Sequence, residues 1–259
     1  MGGCCSCCYR CCCWCCGCCC CCCPKKENSE EVQDGYQCLP SPPESRNIIL
    51  FGKTGSGKAT VANHIFGSPE FSVSTSIGGI TRSVKDSTAR KKVSLGGSDL
   101  TYTIKLVDTA EASSTKLDTQ RISSEVQNFA ESVQSSGGIH LVLFVFSRGR
   151  FTKEDKNAYD FIIRKYQQYT NISALVITHC EGLDDSTRKK TVTEFQTEES
   201  TRSIANAMDK GILTVGFPDL TTVKEELKST HKDTMKTDEE TLKNLVVEAS
   251  QGILISPRQ

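Results

Sequence analysis

The amino-acid sequence predicts a three-layer α/β fold with a mostly parallel sheet, one antiparallel edge strand and a helical extension at the carboxyl end. Short apolar, β-prone runs alternate with amphipathic helical segments along the chain. The first run leads directly into a glycine-rich loop and a helix, and the next two runs are joined by a glycine turn. The expected order of elements is therefore β-α-β-β-α-β-α-β-α-β-α.

The composition suits one soluble domain. The 259 residues include 31 Lys and Arg against 31 Asp and Glu, so the formal net charge is zero. A neutral chain has no field that holds a polyanion, and we therefore expect no nucleic-acid partner. The sequence has no apolar run of about 18 residues, so we expect no transmembrane helix.

Cysteine dominates the amino-terminal tract, residues 1–23, which holds fifteen of the 17 cysteines. Its first six residues, MGGCCS, match the acceptor pattern for N-myristoylation at Gly2. Cys4 and Cys5 lie beside Gly2, where palmitate would supply the second acyl chain that makes membrane attachment durable. This pattern predicts a lipoprotein that is anchored, by myristate and palmitate, to the cytoplasmic face of a membrane.

The cysteine tract is also compatible with metal binding, because closely spaced thiolates bind soft metal ions, and a tract without function is a further alternative. A secretory signal peptide is disfavoured because the tract lacks a long apolar core and a small-residue cleavage site. A disulfide framework is disfavoured because runs such as Cys18–Cys23 cannot all satisfy the geometry of a disulfide bridge.

Composition divides the rest of the chain into three parts. Residues 24–45 are polar and contain four prolines, which predicts a disordered linker. Residues 46–218 contain the alternating strands and helices of the domain core. Residues 219–259 form the expected carboxyl-terminal extension, in which Leu220–Ser250 predicts helices packed on the end of the core.

A phosphate-binding loop follows the first predicted strand, Asn47–Phe51. The sequence GKTGSGK matches G-x-x-x-x-G-K, and Val61–Phe66 continues as a helix, as in the P-loop NTPase (G-domain) fold. Backbone N–H groups of such a loop surround phosphate oxygens, its lysine reaches the β and γ oxygens, and the helix N-terminus favours the anion. The predicted nucleotide contacts here are Gly52, Lys53, Thr54, Gly55, Ser56, Gly57, Lys58, Ala59 and Thr60.

The predicted magnesium site lacks one of its usual ligands. Ala59 stands where a hydroxyl normally coordinates Mg²⁺, and Thr60 is better placed for a phosphate oxygen than for the ion. The remaining candidate ligands of the ion are Asp108 and Thr81. Thr81 lies in the loop Ser72–Arg82, and the alternative is that it is a plain surface threonine. Nucleotide binding with weakened metal dependence is the expectation.

A predicted β-hairpin leads to a second departure from the usual pattern. Ser83–Leu95 and Leu100–Val107 are its expected strands, and the second strand runs into the sequence DTAE, where a G domain carries D-x-x-G. Glu111 replaces the glycine whose N–H would meet the γ-phosphate. Ala112 stands where a water-orienting glutamine is expected, so we identify no catalytic residue and expect slow or absent hydrolysis of GTP.

Three stretches resemble the AIG1-type GTPase family, also described as GIMAP or immunity-associated nucleotide-binding proteins. Gly52–Gly67, GKTGSGKATVANHIFG, is close to the family's GKTGxGKSATGNTILG. The amphipathic segment Ile122–Val133 leads into Gly137–His140, which is similar to the family's G-P-H. Leu141–Asp155, LVLFVFSRGRFTKED, is similar to its strand and G-R-F-T-x-E-D/E box and is the most specific signal. The resemblance covers about residues 46–250.

The resemblance implies a base-recognition turn after the strand Ile172–Ile177, where THCE stands in place of N-K-x-D. Glu181 would accept the N1–H and N2–H groups of guanine, although an acid in a turn also has purely structural uses. Thr178 would bond the base edge, and His179 would stack on the base or the ribose. The last strand, Ile212–Phe217, leads into a further base-contact loop, GFPD.

The leading interpretation is a membrane-anchored guanine-nucleotide-binding protein whose nucleotide state controls its self-association. The expected partners are GTP or GDP with Mg²⁺, a cytosolic membrane surface, and further copies that form a homodimer or oligomer through the nucleotide face. The alternative is a nucleotide-indifferent membrane scaffold of the same fold, because Ala59 and Glu111 suggest a decayed site. A thiol-based metal-binding protein fused to a G domain is a third hypothesis.

Overall fold

A computed structural model describes residues 45–73, 87–95, 98–109, 116–149 and 151–249, all of which lie in the compact unit that begins at Pro42. These residues form a six-stranded sheet in the order β2-β3-β1-β4-β5-β6, with β2 antiparallel to β3 and the other pairs parallel. The strands are β1 (Ser45–Gly52), β2 (Thr88–Leu95), β3 (Ser98–Asp108), β4 (Leu141–Ser147), β5 (Ser173–Thr178) and β6 (Ile212–Thr214).

The helices are α1 (Lys58–Phe66), α2 (Lys116–Ser132), α3 (Lys153–Lys165), α4 (Asp185–Thr197), α5 (Arg202–Ala205) and α6 (Glu225–Glu248). Two 3₁₀-helices, Gln134–Ser136 and Gln167–Ile172, precede β4 and β5. Within the described ranges, no helix is both long enough and apolar enough to cross a membrane.

Helices cover both faces of the sheet because the residues of its central strands alternate between two buried clusters. Ile49 and Phe51 of β1 belong to the cluster that includes α2 and α3, whereas Ile48 and Leu50 belong to the cluster that includes α1 and α6. Strand β1 is buried from its second residue to its last, as expected for a central parallel strand. The predicted three-layer α/β fold, with its mostly parallel sheet and antiparallel edge strand, is confirmed.

The predicted hairpin is also confirmed. Strands β2 and β3 pair antiparallel, and Leu95 lies opposite Ser98 across the turn. Leu100, Tyr102 and Ile104 share one face of β3 and are buried in the cluster with α1 and α6. Because β3 extends to Asp108, the hairpin delivers this carboxylate directly to the end of a central strand.

The extents of several elements differ from the sequence-based expectation, most clearly those of α1, β6 and the carboxyl-terminal helix. Helix α1 begins at Lys58 rather than at Val61, because the glycine-rich loop passes into the helix without an intervening turn. Strand β6 ends at Thr214 rather than at Phe217, and the following segment is irregular. Several helices were predicted in the carboxyl-terminal extension, whereas its described part contains one, α6. The buried residues of α6 include Leu242 and Val246.

The carboxyl ends of the parallel strands lie along one edge of the sheet. Gly52 at the end of β1 is in register with Asp108 at the end of β3, and Ser147 at the end of β4 is in register with Thr178 at the end of β5. Open α/β sheets bind ligands in the crevice outside these ends. The fold thus brings the predicted phosphate, metal and base contacts to the same edge.

Candidate nucleotide-binding site

The glycine-rich loop turns sharply at the end of β1. A Cβ at Gly52 would lie 2.5 Å from Ser56 Oγ and 2.7 Å from the carbonyl oxygen of Val145, so only glycine fits there. Ser56 N–H donates to the carbonyl of Lys53 at 3.0 Å, which closes the loop, and α1 begins at Lys58. The N–H groups of the first helical turn have no partner within their own helix, which makes the start of α1 suited to an anion.

Lys58 is folded back onto the loop that it follows. Its Nζ donates to the carbonyl oxygens of Gly52 and Lys53, at 2.6 and 2.9 Å, and lies 3.8 Å from Asp108 Oδ2. Burial lowers the pKa of the Lys58 amine to about 8, and the Asp108 carboxylate only partly opposes this effect. The amine therefore stays protonated at neutral pH but loses its proton at a pH well below that of an ordinary lysine.

Asp108 faces the P-loop, in keeping with its predicted role. The Thr54 hydroxyl donates to Asp108 Oδ2, and the side chain of Asp108 is one-third exposed. Ala59 is half-buried, and its methyl group packs against the cluster with α1 and α6. Thr60 is half-buried one position further along α1. In the described part of the chain, no group of three His, Cys, Asp or Glu residues has a metal-binding arrangement.

Lys53 connects the P-loop to α3 through a contact that sequence reasoning missed. Its Nζ donates to Asp155 Oδ2 at 2.7 Å, and the same oxygen accepts the backbone N–H of Thr152 at 2.9 Å. Asp155 N–H in turn donates to the Thr152 hydroxyl, so Thr152 and Asp155 form a capping box at the start of α3. The family-like box GRFTKED thus contributes its final aspartate to the P-loop. The T-x-x-D spacing signals the cap, but no sequence signal identifies Lys53 as its partner.

Thr178, at the end of β5, contacts the P-loop. Its side chain is buried, and its hydroxyl lies within hydrogen-bonding distance of two carbonyl oxygens, those of Ser56 at 2.8 Å and Phe146 at 2.9 Å. A hydroxyl has one proton, which these carbonyls share. Thr178 therefore joins the P-loop to the end of β4, because its side chain points inwards at the end of β5, and its bond to the base edge stays a prediction.

His179 and Glu181 present side chains to the open side of the turn. His179 adopts a positive φ of 58°, and its Nδ1 lies 3.7 Å from Glu181 Oε1. This interaction lowers the pKa of the Glu181 carboxyl, which is therefore a carboxylate at neutral pH. The second oxygen of that group, Oε2, is buried and has no hydrogen-bond partner among the described residues.

Cys180, between these two residues, points the opposite way. It is fully buried, and its Sγ faces the carbonyl oxygens of Ile177 and Thr178 at 3.6 and 3.7 Å. Burial raises the pKa of its thiol, so Cys180 is a neutral packing residue. The turn after β5 thus alternates between buried and solvent-facing side chains.

Several predicted positions lie outside the described residues. They are the lipidation residues Gly2, Cys4 and Cys5, the metal candidate Thr81, and the switch residues Ala110, Glu111 and Ala112. Arg150 of the family-like box also lies outside them. Their roles stay predictions.

The described residues fit a guanine nucleotide at both ends of the crevice. Lys58 and the start of α1 offer cationic and N–H groups for phosphates. Glu181 offers a buried carboxylate oxygen that lacks a hydrogen-bond donor among the described residues, as a group that accepts donors from a base would. For Mg²⁺, the described candidate is the carboxylate of Asp108. This fold and this set of residues define a P-loop nucleotide-binding protein of the GTPase fold class.

The model of the AIG1 family matches residues 46–226, which is most of the chain. The chain therefore belongs to the AIG1 family, and the resemblance that the sequence motifs predicted is confirmed.

Known relatives agree with this assignment. The chain is 32% identical over 131 residues to immune-associated nucleotide-binding protein 3 of Arabidopsis thaliana, a match that covers 50% of this chain and 35% of that protein. Among solved structures, Toc33 from Arabidopsis thaliana in complex with Mg²⁺ and GMPPNP has a TM-score of 0.51 at 14% identity, over 82% of this chain and 89% of that one.

A structure of the chloroplast translocon components atToc33 and psToc159, whose dimerization is important for GTPase activity, is similar with a TM-score of 0.53 at 15% identity. That match covers 82% of this chain and 85% of the other. At these identities the structural similarities establish the fold alone.

Proposed function

We propose that the chain is a membrane-anchored guanine-nucleotide-binding protein whose nucleotide state controls self-association, with slow or absent intrinsic hydrolysis of GTP. The observation that carries this proposal is the occurrence, at the same edge of the sheet, of the P-loop Lys58 and of a Glu181 carboxylate oxygen that has no hydrogen-bond donor among the described residues. The name of the Arabidopsis relative, a nucleotide-binding protein, supports it.

Guanine is the base that the Glu181 carboxylate favours. Guanine presents two adjacent donors, N1–H and N2–H, to a carboxylate, whereas the corresponding edge of adenine presents an acceptor at N1. A buried carboxylate without hydrogen-bond donors costs free energy. Adenine therefore binds less well than guanine for two reasons: it forms fewer hydrogen bonds with Glu181, and it leaves the carboxylate unpaired. The His179 interaction lowers the pKa of Glu181, which favours the carboxylate form that this pairing needs.

Phosphate binding would draw Lys58 away from the carbonyl oxygens that it now contacts. The amine would then donate to phosphate oxygens, while the N–H groups at the start of α1 approach the same anion. Bound Mg²⁺ would supply charge neutralisation of the phosphates, with Asp108 as its described ligand candidate. Ala59 provides no ligand, which supports a weakened dependence on the ion.

Hydrolysis has no assigned catalyst in this chain. The position of the water-orienting glutamine carries Ala112, and Glu111 places a negative charge where a glycine N–H is expected. Slow turnover would suit a protein that acts through the lifetime of a nucleotide-bound state. Self-association through the nucleotide face is supported by the fold shared with translocon components whose dimerization matters for GTPase activity.

Membrane attachment rests on the amino-terminal sequence. Gly2 supplies the myristoylation pattern, and Cys4 and Cys5 supply adjacent sites for a second acyl chain. The competing proposal is a scaffold of the same fold that ignores nucleotide. Ala59 and Glu111 favour it, and nucleotide binding distinguishes the two.

Substitution of Glu181 tests the function directly. The full chain, kept reduced, would be titrated with fluorescent GTP, GDP and ATP, with and without Mg²⁺. We expect clear preference for guanine nucleotides, and Glu181→Ala to lower GTP affinity roughly tenfold or more without raising ATP affinity, because two charge-assisted hydrogen bonds are lost. The matched control is Glu198→Ala, an exposed acid at the end of α4. Equal affinity of the unmodified chain for ATP and GTP would overturn the guanine assignment.

A further inference from the structure

A buried ion pair lies directly behind the base-recognition turn, on residues that the sequence analysis did not single out. Arg188 of α4 and Asp238 of α6 form a bidentate pair, with Nη1–Oδ1 and Nη2–Oδ2 distances of 2.7 and 3.1 Å. Their side chains are only 11% and 8% exposed. The pair thus joins two helices through residues that are 50 positions apart in sequence.

Both members of the pair also bind backbone groups in and next to the two predicted base-contact loops. Arg188 Nη2 donates to the carbonyl of Cys180 at 3.2 Å, directly before Glu181, and Arg188 Nη1 donates to the carbonyl of Thr214 at 3.1 Å. Asp238 Oδ2 accepts the N–H of Gly216 at 2.8 Å, at the start of the predicted second base-contact loop. One ion pair therefore holds the backbone of the turn after β5 and the backbone that follows β6.

The two loops are in direct contact at Gly216. A Cβ at this residue would lie 2.6 Å from Cα of Glu181, so the loop after β6 can pack against the turn only because residue 216 is glycine. Cys180 N–H also donates to the carbonyl of Val215 at 3.1 Å. A shift of Gly216 would consequently displace the backbone of Glu181.

We propose that Arg188 and Asp238 are positioning residues for guanine selectivity, which they exert by holding the Glu181 turn and the Gly216 loop in one arrangement. This inference rests on the proposed guanine-nucleotide function and extends it to α6. The helix that carries Asp238 becomes part of the base site without touching the base. Nucleotide binding and the position of α6 are therefore linked.

A role in positioning explains the pair better than a role in stability. Removing two charges from water costs more than their attraction returns in many buried pairs, so stability alone is a weak reason for such a pair. Its five polar contacts are each directed, and three of them go to backbone groups, two in the predicted base-contact loops and one at the end of β6. Directed contacts of this kind fix geometry, on which hydrogen bonding to a base depends.

The decisive experiment separates base recognition from phosphate binding. The full chain and its Asp238→Asn variant would be titrated with GDP, ADP and inorganic tripolyphosphate, which has no base. We expect Asp238→Asn to lower GDP affinity roughly tenfold, to bring the GDP-to-ADP affinity ratio towards one, and to leave tripolyphosphate affinity unchanged. Arg188→Lys should act in the same direction, because an ammonium group cannot make all four guanidinium contacts.

The matched control is Asp160→Asn, which removes a carboxylate paired with Lys156 at 2.6 Å on α3, away from the base turn. It should leave all three affinities unchanged. An equal loss of GDP and tripolyphosphate affinity in Asp238→Asn would overturn the positioning role, as would an unchanged GDP-to-ADP ratio. A lack of base preference in the unmodified chain would instead overturn the proposed function itself.

A measurement on the unmodified chain covers the case in which the variants do not fold. Hydrogen exchange would be followed in α6 around Asp238 with saturating GDP and with saturating tripolyphosphate. We expect GDP to slow exchange there at least severalfold more than tripolyphosphate does, because only GDP carries the base. Equal protection by the two ligands would show that α6 is not linked to base binding and would overturn the inference.

Discussion

Lys58 shows how one residue of the P-loop is held in readiness for an anion. Its amine is satisfied by two backbone carbonyls and is buried enough that its pKa falls to about 8. Phosphate oxygens carry formal negative charge, so they would stabilise the protonated amine far better than the carbonyls do. Nucleotide binding should therefore raise the pKa of Lys58.

The affinity for GDP should fall as the pH rises through the Lys58 pKa of about 8. Below that pH, Lys58 is protonated in both the free and bound protein, and affinity does not depend on this group. Above it, the free amine has lost its proton, so binding must take one up, and affinity drops by up to about tenfold per pH unit. Calorimetry at about one pH unit above this pKa, in buffers of different ionisation enthalpy, would measure the proton uptake.

Lys58→Arg provides the control, since a guanidinium group stays protonated over this range. Its affinity for GDP should be weaker but flat between about pH 7 and 9. A steep pH profile in this variant would mean that another group carries the effect.

Restoring a hydroxyl at residue 59 should strengthen the magnesium site. Ala59→Ser supplies the side-chain oxygen that normally coordinates the ion beside the P-loop lysine. We expect Mg²⁺-dependent GTP binding to tighten more than GDP binding, because GTP carries an additional phosphate whose negative charge the ion would neutralise. Thr60→Ser, which keeps a hydroxyl at the neighbouring position, is the control for a general effect on α1. If neither Ala59→Ser nor Lys58→Ala changes affinity, the scaffold proposal is the better account.

Single residues differ in how far the sequence predicts them. The P-loop residues and Asp108 follow from fixed spacing around a buried strand, and the structure brings them together. The contacts of Thr178 with the P-loop and β4 were not predicted, because its position in the chain does not reveal that its side chain points inwards. The pairs Lys53–Asp155 and Arg188–Asp238 join segments 102 and 50 residues apart, and only the folded chain makes them neighbours.

Helix α3 shows how a sequence box acts as a structural element. Asp155 caps the helix and binds Lys53 of the P-loop, so the orientation of α3 and the position of the loop are set together. The helix also delivers Tyr159 to the cluster beneath β4, where its hydroxyl donates to the carbonyl of Val145 at 3.3 Å. Loss of the capping interaction at Asp155 should therefore also change the position of the P-loop.

Asp155→Asn should lower the free energy of unfolding by about 1–2 kcal/mol, since it removes a charged partner from both the cap and Lys53. Urea unfolding monitored by circular dichroism would measure the change. Asp184→Asn is the control, because asparagine is as good a cap as aspartate at the start of α4 and the loss should be smaller. Equal losses in the two variants would mean that the contact with Lys53 contributes nothing.

The extents of elements were predicted less well than their order. Hydrophobic periodicity indicated the succession of strands and helices, but β6 ends at Thr214, and the next residue, Val215, accepts the Cys180 N–H. The described part of the carboxyl-terminal extension contains one long helix, whose residues Leu242 and Val246 pack in the cluster with α1. Tertiary contacts determine both the end of β6 and the extent of α6.

For the molecule as a whole, the fold could be predicted because three sequence features indicate the same architecture. These features are a P-loop after a buried strand, a hairpin, and an alternation of strands and helices. Membrane attachment is a separate property that depends on residues 1–23, which the structure does not describe. It calls for an independent experiment.

Gly2→Ala should release the full chain from membranes to the soluble fraction. Without myristate, the nearby cysteines lose the first membrane contact that palmitoylation requires, and either acyl chain alone binds a bilayer only weakly. Fractionation and labelling with an alkyne analogue of myristate would measure both steps, with Gly3→Ala as the control that keeps the acceptor glycine. Membrane retention of Gly2→Ala with Cys4 and Cys5 also changed to serine would contradict this attachment mechanism.

Because Cys180 is buried, the reactivity of its thiol measures how often the base-recognition turn opens. An alkylating reagent can reach this thiol only when the turn opens, so the rate of its modification in the folded protein counts opening events. Thiols that react without any opening of the turn can be alkylated first. The slower modification of Cys180 can then be followed by itself. A bound ligand that holds Glu181 in place would lengthen that delay, and one that contacts only the P-loop would not.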